Sequence, residues 1–262
     1  MKRLIYQVCL GEAKNSKLYK FCIQSVKEYC QNHGIDHIIQ DKPILRIKPD
    51  IFLTNRSPLA YEKHGGFLPI YEKENAFAHL KNYDQIAIID ADIFIRKDSP
   101  NIFDDLTSEY DFAACCEREM PITNDYSKKI SDYSKSQYEK LKDVDWKWNN
   151  SGAEFFNMGL ILLNKSFSQY LKNQSPKEFI ERNEFKRFVD GLGTWKWSTD
   201  QTLLNWFVKK ENINVMHLNW KWNGLYKAIK EDKLSEAYFI HFFKKQSLPM
   251  NGENIDELMR LI

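Results

Sequence analysis

Two aspartates at the end of an apolar run are the first chemically suggestive feature of this sequence. In "IAIIDADIFI", residues 86–95, Asp90 and Asp92 interrupt a stretch of Ile, Ala and Phe. A continuous apolar run of this kind suits a strand buried on both faces of a sheet, where an unpaired carboxylate is costly. Residues two apart on a strand point the same way, so the two charges repel unless a cation lies between them. The alternative is that both are solvated where the strand runs into a loop. Three further stretches carry chemistry-bearing side chains. "EFFNMGLILLN" (154–164) joins an Asn-x-Gly, Asn157 and Gly159, to an apolar strand. "STDQTLLNWFV" (198–208) reads as a helix with Ser198 and Thr199 as caps and Asp200 and Gln201 in its first turn. "AYFIHFFKKQSLP" (237–249) is a short apolar strand ending in His241, followed by Lys244 and Lys245. Taken singly, these also have ordinary readings: a core histidine, a helix cap, a solvated lysine pair.

The elements that must position these residues alternate along the chain. Leu4 to Leu10 reads as a strand. Leu18, Cys22, Ser25, Val26, Tyr29 and Cys30 have helical spacing, and Gly34 closes that helix. Asp36 to Ile39 is a short strand; residues 41–70 are punctuated by Pro and Gly and expected to be irregular. Tyr71 to Leu80 is a helix feeding the strand 86–90, Pro100 to Leu106 a short helix, and Phe112 to Cys116 a strand. This alternation predicts an α/β domain whose mostly parallel central sheet is flanked by helices. Ligands of such sheets sit at the carboxyl ends of strands, where Asp90 and Asp92 lie. Residues 121–150 are polar, lysine-rich and too long for an ordinary connection. They read as a lid over the site or as a surface excursion with its own helix, and we favour the lid.

The totals bound the class. A chain of 262 residues supports one domain with a substantial core. With 43% hydrophobic and 28% charged residues it is globular, and a net charge of +2 argues against a nucleic-acid partner. No apolar run approaches the roughly 18 residues of a membrane span, and the opening run ends by Gly11, too short for a signal peptide. The five cysteines form no CxxC pair, so free thiols and a cytoplasmic location are expected.

Together and in this order, Asp-Ala-Asp and the three downstream elements resemble a GT-A-fold glycosyltransferase. The chain is similar to the retaining group, glycosyltransferase family 8, that includes glycogenin and bacterial lipopolysaccharide galactosyltransferases. The resemblance runs from about residue 71 to 245 and rests on "YDQIAIIDADIFI", "FNMGLILLN", "DQTLLN" and "IHFF". It implies that Asp90, Ala91 and Asp92 are the DxD element, holding a divalent cation, usually Mn²⁺ (Mg²⁺ as the substitute), against a nucleotide diphosphate. It implies that His241 is the third protein ligand of that metal, and that Asn157 and Gly159 line the donor sugar site. Asp200 and Gln201 are the implied catalytic pair near the anomeric carbon. The family's phosphate-binding lysine falls here on Ser247, without its Pro-Trp, so Lys244 and Lys245 are taken as substitutes. Its basic residue before the DxD falls on Glu74, with Lys73 beside it. Tyr6, Val8 and the 11–17 loop are the candidates for holding the base. The donor set is chemically apt in its own right: carboxylates with one imidazole suit Mn²⁺ or Mg²⁺ better than structural zinc, and such a cation neutralises charge on a diphosphate leaving group.

The expected activity is metal-dependent transfer of a hexose from a nucleotide diphosphate sugar, UDP-linked, to a glycan hydroxyl, with retention implied by the resemblance. A single domain is expected over 1–262, with the nucleotide-binding part at about 1–116 and the acceptor-shaping part at about 117–262. A sugar nucleotidyltransferase would carry a Gly-rich basic loop after the first strand, whereas "LGEAKNSKLY" has one glycine. A haloacid-dehalogenase phosphatase would have its Asp-x-Asp after the first strand and before Gly-Thr. A sugar- or protein-binding module descended from a transferase is the non-enzyme alternative, and the intact Asp90, Asp92, Asn157, Gln201 and His241 argue against it. Residues 121–150 and 217–226 would shape the acceptor site. Trp146, Trp148, Trp220 and Trp222 are its candidate stacking platforms, at least two of them expected in the core. "EFKRFV" (184–189) offers a peripheral membrane contact or, preferably, a solvated helix face.

Overall fold

The apolar run ending at Asp90 forms strand β3, Gln85–Ile89, every residue of which is buried. In the computed structural model, which describes residues 1–51 and 54–262, β3 lies inside a six-stranded sheet of order β2-β1-β3-β6-β5-β7. The other members are β1 (Arg3–Val8), β2 (Asp36–Gln40), β5 (Phe112–Cys116), β6 (Phe156–Asn164) and β7 (Val215–His217). β1 pairs in parallel with β2 and β3, and β5 with β7; β6 is antiparallel to both β3 and β5. Only β6 is therefore reversed, and the sheet is mostly parallel. β5 and β6 are wholly buried, as strands covered on both faces must be.

A second sheet has three strands, of which the sequence reading contains only β9, the short strand ending in His241: β4 (Ile93–Ile95), β9 (Phe239–His241) and β8 (Gly224–Leu225), in the order β4-β9-β8. Its strands are two or three residues long, too short for a periodic signal. Its register sets Ile93 opposite His241, and so brings the end of the chain to the Asp90–Asp92 turn.

Helix α1, Lys17–His33, buries Leu18, Cys22, Val26, Tyr29 and Cys30. It ends at Gly34, whose φ of 63° is left-handed and whose N–H donates to the Cys30 carbonyl. The stretch expected to be irregular, 41–70, contains α2, Ser57–His64, with Pro58 in its first turn where a missing N–H costs nothing. The expected helix at 71–80 is a longer, tighter 3₁₀ segment, Pro69–Lys81. Its Glu72 carboxylate is buried and accepts from the backbone N–H groups of Ile44, Leu45 and Arg46, which fastens the preceding loop to the sheet. Beyond β5 lie α3 (Asn124–Tyr138), α4 (Pro176–Ile180), α5 (Lys186–Val189), α6 (Asp200–Lys210), α7 (Glu231–Leu234) and α8 (Ile255–Met259).

Residues 121–150 do not form a free lid. Helix α3, capped by Thr123, packs inward through Ile130 and Tyr138. The Tyr138 ring stacks on Trp146 at 4.2 Å and lies 5.5 Å from Phe155. Trp146 is 2% exposed and donates its indole N–H to the Leu141 carbonyl. Trp222, equally buried, donates to Asp105 at 2.6 Å. Both are core residues and not stacking platforms, while Trp148 stays exposed. At 184–189 the apolar residues Phe185, Phe188 and Val189 turn into the core. Arg187 covers the rings of Phe188, Trp195 and Trp206. The face left outward is Glu184 and Lys186, which is the solvated reading and offers no apolar side chain to a bilayer. All five cysteines are free and buried. No helix among the described residues is long and apolar enough to cross a membrane.

Away from the Asp90 turn, Phe179 is fully buried against Phe77, Phe185 and Phe207, with ring centroids 4.9–5.6 Å apart. Phe179→Ala should cost about 3–5 kcal/mol by urea unfolding. A loss under about 1 kcal/mol would mean that the cluster collapses around the gap.

Candidate active site

The site is built where β3 ends. The Asp90 N–H donates to the Gly159 carbonyl of β6 at 2.8 Å, and the Ile93 N–H closes a turn on the Asp90 carbonyl at 3.1 Å. The Phe242 N–H donates to the Asp92 carbonyl at 3.0 Å, joining the turn to the residue after β9. This backbone frame sets the His241 Nε2 at 3.3 Å from Asp92 Oδ1 and 3.7 Å from Asp90 Oδ2. One ligand atom from each of Asp90, Asp92 and His241 lies within 4.8 Å of the others, close enough to hold one cation. The far side of the imidazole is fixed by Asn223, whose Oδ1 faces Nδ1 at 3.1 Å. That contact assigns the proton to Nδ1 and leaves Nε2 as the free ligand.

Asn157 and Gly159 hold this arrangement from beneath. Asn157 Oδ1 accepts from Asn223 Nδ2 at 2.9 Å and from the Gly159 N–H at 3.0 Å, and its Nδ2 donates to Glu117 at 2.7 Å. Gly159 is required by space: a Cβ there would lie 2.3 Å from His241 Cε1 and 2.7 Å from Nδ1. Both line the cleft, but Asn157 spends its amide on Glu117 and Asn223. Glu117 is a participant that sequence reasoning missed. It is buried, and burial holds its carboxyl above the usual carboxylate range against the pull of Asn157 and Tyr126.

Lys73, not Glu74, is the basic residue of the site. Its Nζ lies 2.8 Å from Asp200 Oδ2, 3.1 Å from Asp90 Oδ1 and 2.7 Å from the Met158 carbonyl. Burial opposes the Lys73 charge, but Asp200 and Asp90 outweigh it, so the ammonium is retained. Glu74 is buried beside it, and burial followed by the Asp200 charge pushes its carboxyl well above the usual carboxylate range. Burial also raises Asp200, with Lys73 pulling the other way. Burial would lower His241 and raise Asp92, but their mutual attraction reverses both, so His241 is raised and Asp92 lowered. The 3.3 Å separation of His241 Nε2 from Asp92 Oδ1 is an ion-pair distance when the imidazole is protonated.

Helix α6 supplies the opposite wall. Thr199 caps it by accepting from the Gln201 N–H at 3.1 Å, and the Gln201 side chain accepts from the Met158 N–H at 3.3 Å. Buried Asn205 bridges α6 to both polar groups of the Phe156 backbone, a bond pair with no sequence signal. The resulting cleft, about 460 Å³, is lined by Asp90, Asp92, Lys73, Asn157, Gly159, Asp200, Gln201, His241, Val8 and Arg56. Arg56 was also missed, because it comes from the stretch that looked irregular. An adjoining pocket of about 390 Å³ shares Val8, Arg56, Pro69 and Ile70 and adds Leu10, Ala13, Tyr19, His64 and Leu68.

Four expected site residues lie elsewhere. Tyr6 is 1% exposed, and its hydroxyl bonds Gln40 and Asn75, so it belongs to the core. The side chain of Ala91 is buried and does not line the cleft. Lys244 lies over the rings of Tyr126 and Phe243. Lys245 bonds the Tyr19 hydroxyl, and its charge helps to lower the Asp92 carboxyl. Neither lysine lines the cleft.

Comparison of the sequence with family profiles finds no match, and comparison with curated proteins finds none. Solved structures do match. Mouse xyloside xylosyltransferase 1 superposes with a TM-score of 0.50 at 12% identity, over 95% of this chain and 100% of that one. A glycosyltransferase that acts in glycosylation of the major capsid of PBCV-1 gives 0.49 at 12% identity, over 100% of both chains. The galactosyltransferase LgtC, in complex with donor and acceptor sugar analogues, gives 0.48 at 16% identity, over 98% and 94%. The chain has the GT-A glycosyltransferase fold.

Gly159→Ala should destabilise the protein by about 1–3 kcal/mol through overpacking against His241. The same substitution should bring the imidazole pKa, read by NMR in metal-free protein, back toward its ordinary value. An unchanged His241 titration would show that the ring keeps its place beside Asp92.

Proposed function

We propose that this chain is a metal-dependent glycosyltransferase that moves a hexose from a UDP-sugar to a glycan hydroxyl with retention of configuration. The observation that carries the reading is a pair of adjoining pockets of different chemistry that share Val8, Arg56, Pro69 and Ile70. One half gathers Asp90, Asp92, His241, Lys73, Asp200 and Gln201. The other is largely apolar, at the end of β1, with Val8, Leu10, Ala13 and Leu68 on its walls. A nucleotide sugar has the matching parts: a flat base for the apolar half and a diphosphate with its sugar for the charged half.

The donor set fits a hard divalent cation. Two carboxylates and one imidazole favour Mn²⁺ or Mg²⁺, and Asp90, Asp92 and His241 would hold it. Bound there, such an ion supplies neutralisation of the charge that develops on the departing diphosphate. Arg56, at the junction of the two pockets, adds positive charge where the phosphates would lie.

The chain's own residues then position and do not react. The Asp200 carboxylate is 3% exposed and engaged by Lys73 at 2.8 Å, which makes it a poor free nucleophile. Gln201 offers an amide oxygen, a weaker nucleophile still. This favours attack by the acceptor hydroxyl on the face that the diphosphate leaves. The acceptor oxygen bonds to the anomeric carbon, the bond from that carbon to the diphosphate oxygen breaks, and the acceptor proton passes to the diphosphate. Catalysis of this kind rests on orientation and a preorganised electrostatic frame, which Lys73, Asp200 and Gln201 provide. A covalent glycosyl-enzyme trapped at Asp200 would overturn this order of events.

Thermal unfolding tests the donor and the metal together. UDP with Mn²⁺, at about a hundred times the dissociation constant, should stabilise by about 2.7 kcal/mol, on the order of 5–10 °C for a chain of this size. The shift should need the metal and vanish in Asp92→Ala. A shift with GDP in place of UDP would change the donor, and no shift with any nucleotide would turn the reading toward a binding module.

The pH dependence has a defined sign. His241 must be neutral to ligate, and its pKa in the metal-free protein is raised. Mn²⁺ affinity should therefore weaken as pH falls through that raised value, and His241→Gln should flatten the curve. In metal-free protein the raised pKa contributes stability that is full below about 6.5, the unfolded value, and is lost as pH rises through the folded one. A metal affinity independent of pH between 5 and 8 would remove His241 from the ligand set.

A further inference from the structure

Two clusters of metal-ligating side chains converge among the described residues, and the second lies outside the cleft. It joins the end of β5 to the edge strand β7. The two strands pair in parallel with Ala114 opposite His217, and the Leu218 N–H donates to the Ala114 carbonyl. After Cys116 the chain makes a tight turn through Glu117–Glu119, closed by the Met120 N–H on the Glu117 carbonyl. That turn returns the Glu119 carboxylate to His217, with Oε2 3.0 Å from Nδ1. The imidazole is braced edge-on against Phe156, centroids 5.0 Å apart. The Cys116 sulfur is buried, and burial, followed by the Glu119 charge, pushes its thiol up to about 12, so a bound cation would have to draw off its proton.

We propose that Cys116, Glu119 and His217 form a second cation site, for Zn²⁺ or an ion of its kind. One ligand atom from each lies within 4.8 Å of the other two. Ligands of a tetrahedral zinc lie about 3.5 Å apart, a distance that small rotations of the exposed Glu119 and His217 side chains reach. The donor chemistry separates this site from the first. A thiolate with one imidazole and one carboxylate selects a softer ion than the Asp90–Asp92–His241 set does. The thiol proton passes to solvent on binding, and water completes the four-coordinate shell. The bound ion ties the sheet edge to the turn that carries Glu117, whose carboxylate supports Asn157 in the cleft. This inference does not rest on the transferase reading.

Cobalt is the probe, because a thiolate ligand gives Co²⁺ a charge-transfer band in the near ultraviolet and an oxygen–nitrogen site does not. Chelator-treated protein titrated with Co²⁺ should develop that band, and in Asp92→Ala, which removes the first site, the band should saturate at one equivalent per chain. Zn²⁺ should displace the cobalt and abolish the band. Asp92→Ala should keep it, and Cys116→Ser should lose it. His217→Ala and Glu119→Gln should weaken Co²⁺ binding by about tenfold or more, since even outer-shell partners are worth that much. Glu119 is exposed, so Glu119→Gln decides the matter if Cys116→Ser fails to fold. No band at saturating cobalt, or a band unchanged in both His217→Ala and Glu119→Gln, would overturn the site.

Discussion

Like charge held at close quarters is the constraint on which this molecule turns. Asp90, Asp92 and Asp200 face one cleft, the first two on the same short turn. Two unit charges 4 Å apart repel by about 4 kcal/mol at the effective dielectric near a protein surface. Lys73 reaches Asp90 and Asp200, and His241 reaches Asp90 and Asp92. Lys73, and His241 when protonated, are thus each shared between two carboxylates. The balance that results leaves room for a further positive charge, and a divalent ion or a cationic group on a ligand is the natural complement.

Holding that balance explains features that otherwise look incidental. The small sheet β4-β9-β8 exists to deliver His241, since its register sets the histidine beside the turn. Gly159 lacks a side chain because the imidazole fills the space one would need. Behind the front rank stands a chain of amides: Asn223 orients His241, Asn157 orients Asn223, and Glu117 anchors Asn157. Buried polar groups of this kind are tolerable only when partnered, and partnered they lock side-chain orientation.

The cavity follows the general rule for open sheets, opening beyond the carboxyl ends of β1 and β3. Its charged floor comes from β3, β6, α6 and β9, whereas its apolar half comes from the end of β1, the following turn and α2. The second half is assembled from a region with little periodic pattern, and Arg56 at the junction belongs to both. The division matches the labour a two-part ligand would demand: shape and stacking in one half, charge in the other.

The sequence by itself determined the local facts. The apolar run at 86–89 calls for a strand buried on both faces, strands are also read at 112–116 and within 154–164, and all three are buried strands. Spacing and Gly34 defined α1, and Thr199 with Asp200 marked the start of α6. Asp90 and Asp92 stand out by their local context, Asn157, Gly159, Asp200, Gln201 and His241 take their roles from the family resemblance, and the fold gathers all seven in one cleft. Tertiary structure decided what depends on distant partners. Whether Lys73 or Glu74 faced the cleft turned on the tight 3₁₀ path of 69–81, which a count along the chain does not contain. Tyr6 and Trp146 looked like binding residues and proved to be core, because burial is set by what packs against a ring and not by the ring. Glu117, Arg56 and the pairing of Cys116 with His217 carried no local signal at all. They come together only when segments far apart in the sequence take their places in the fold.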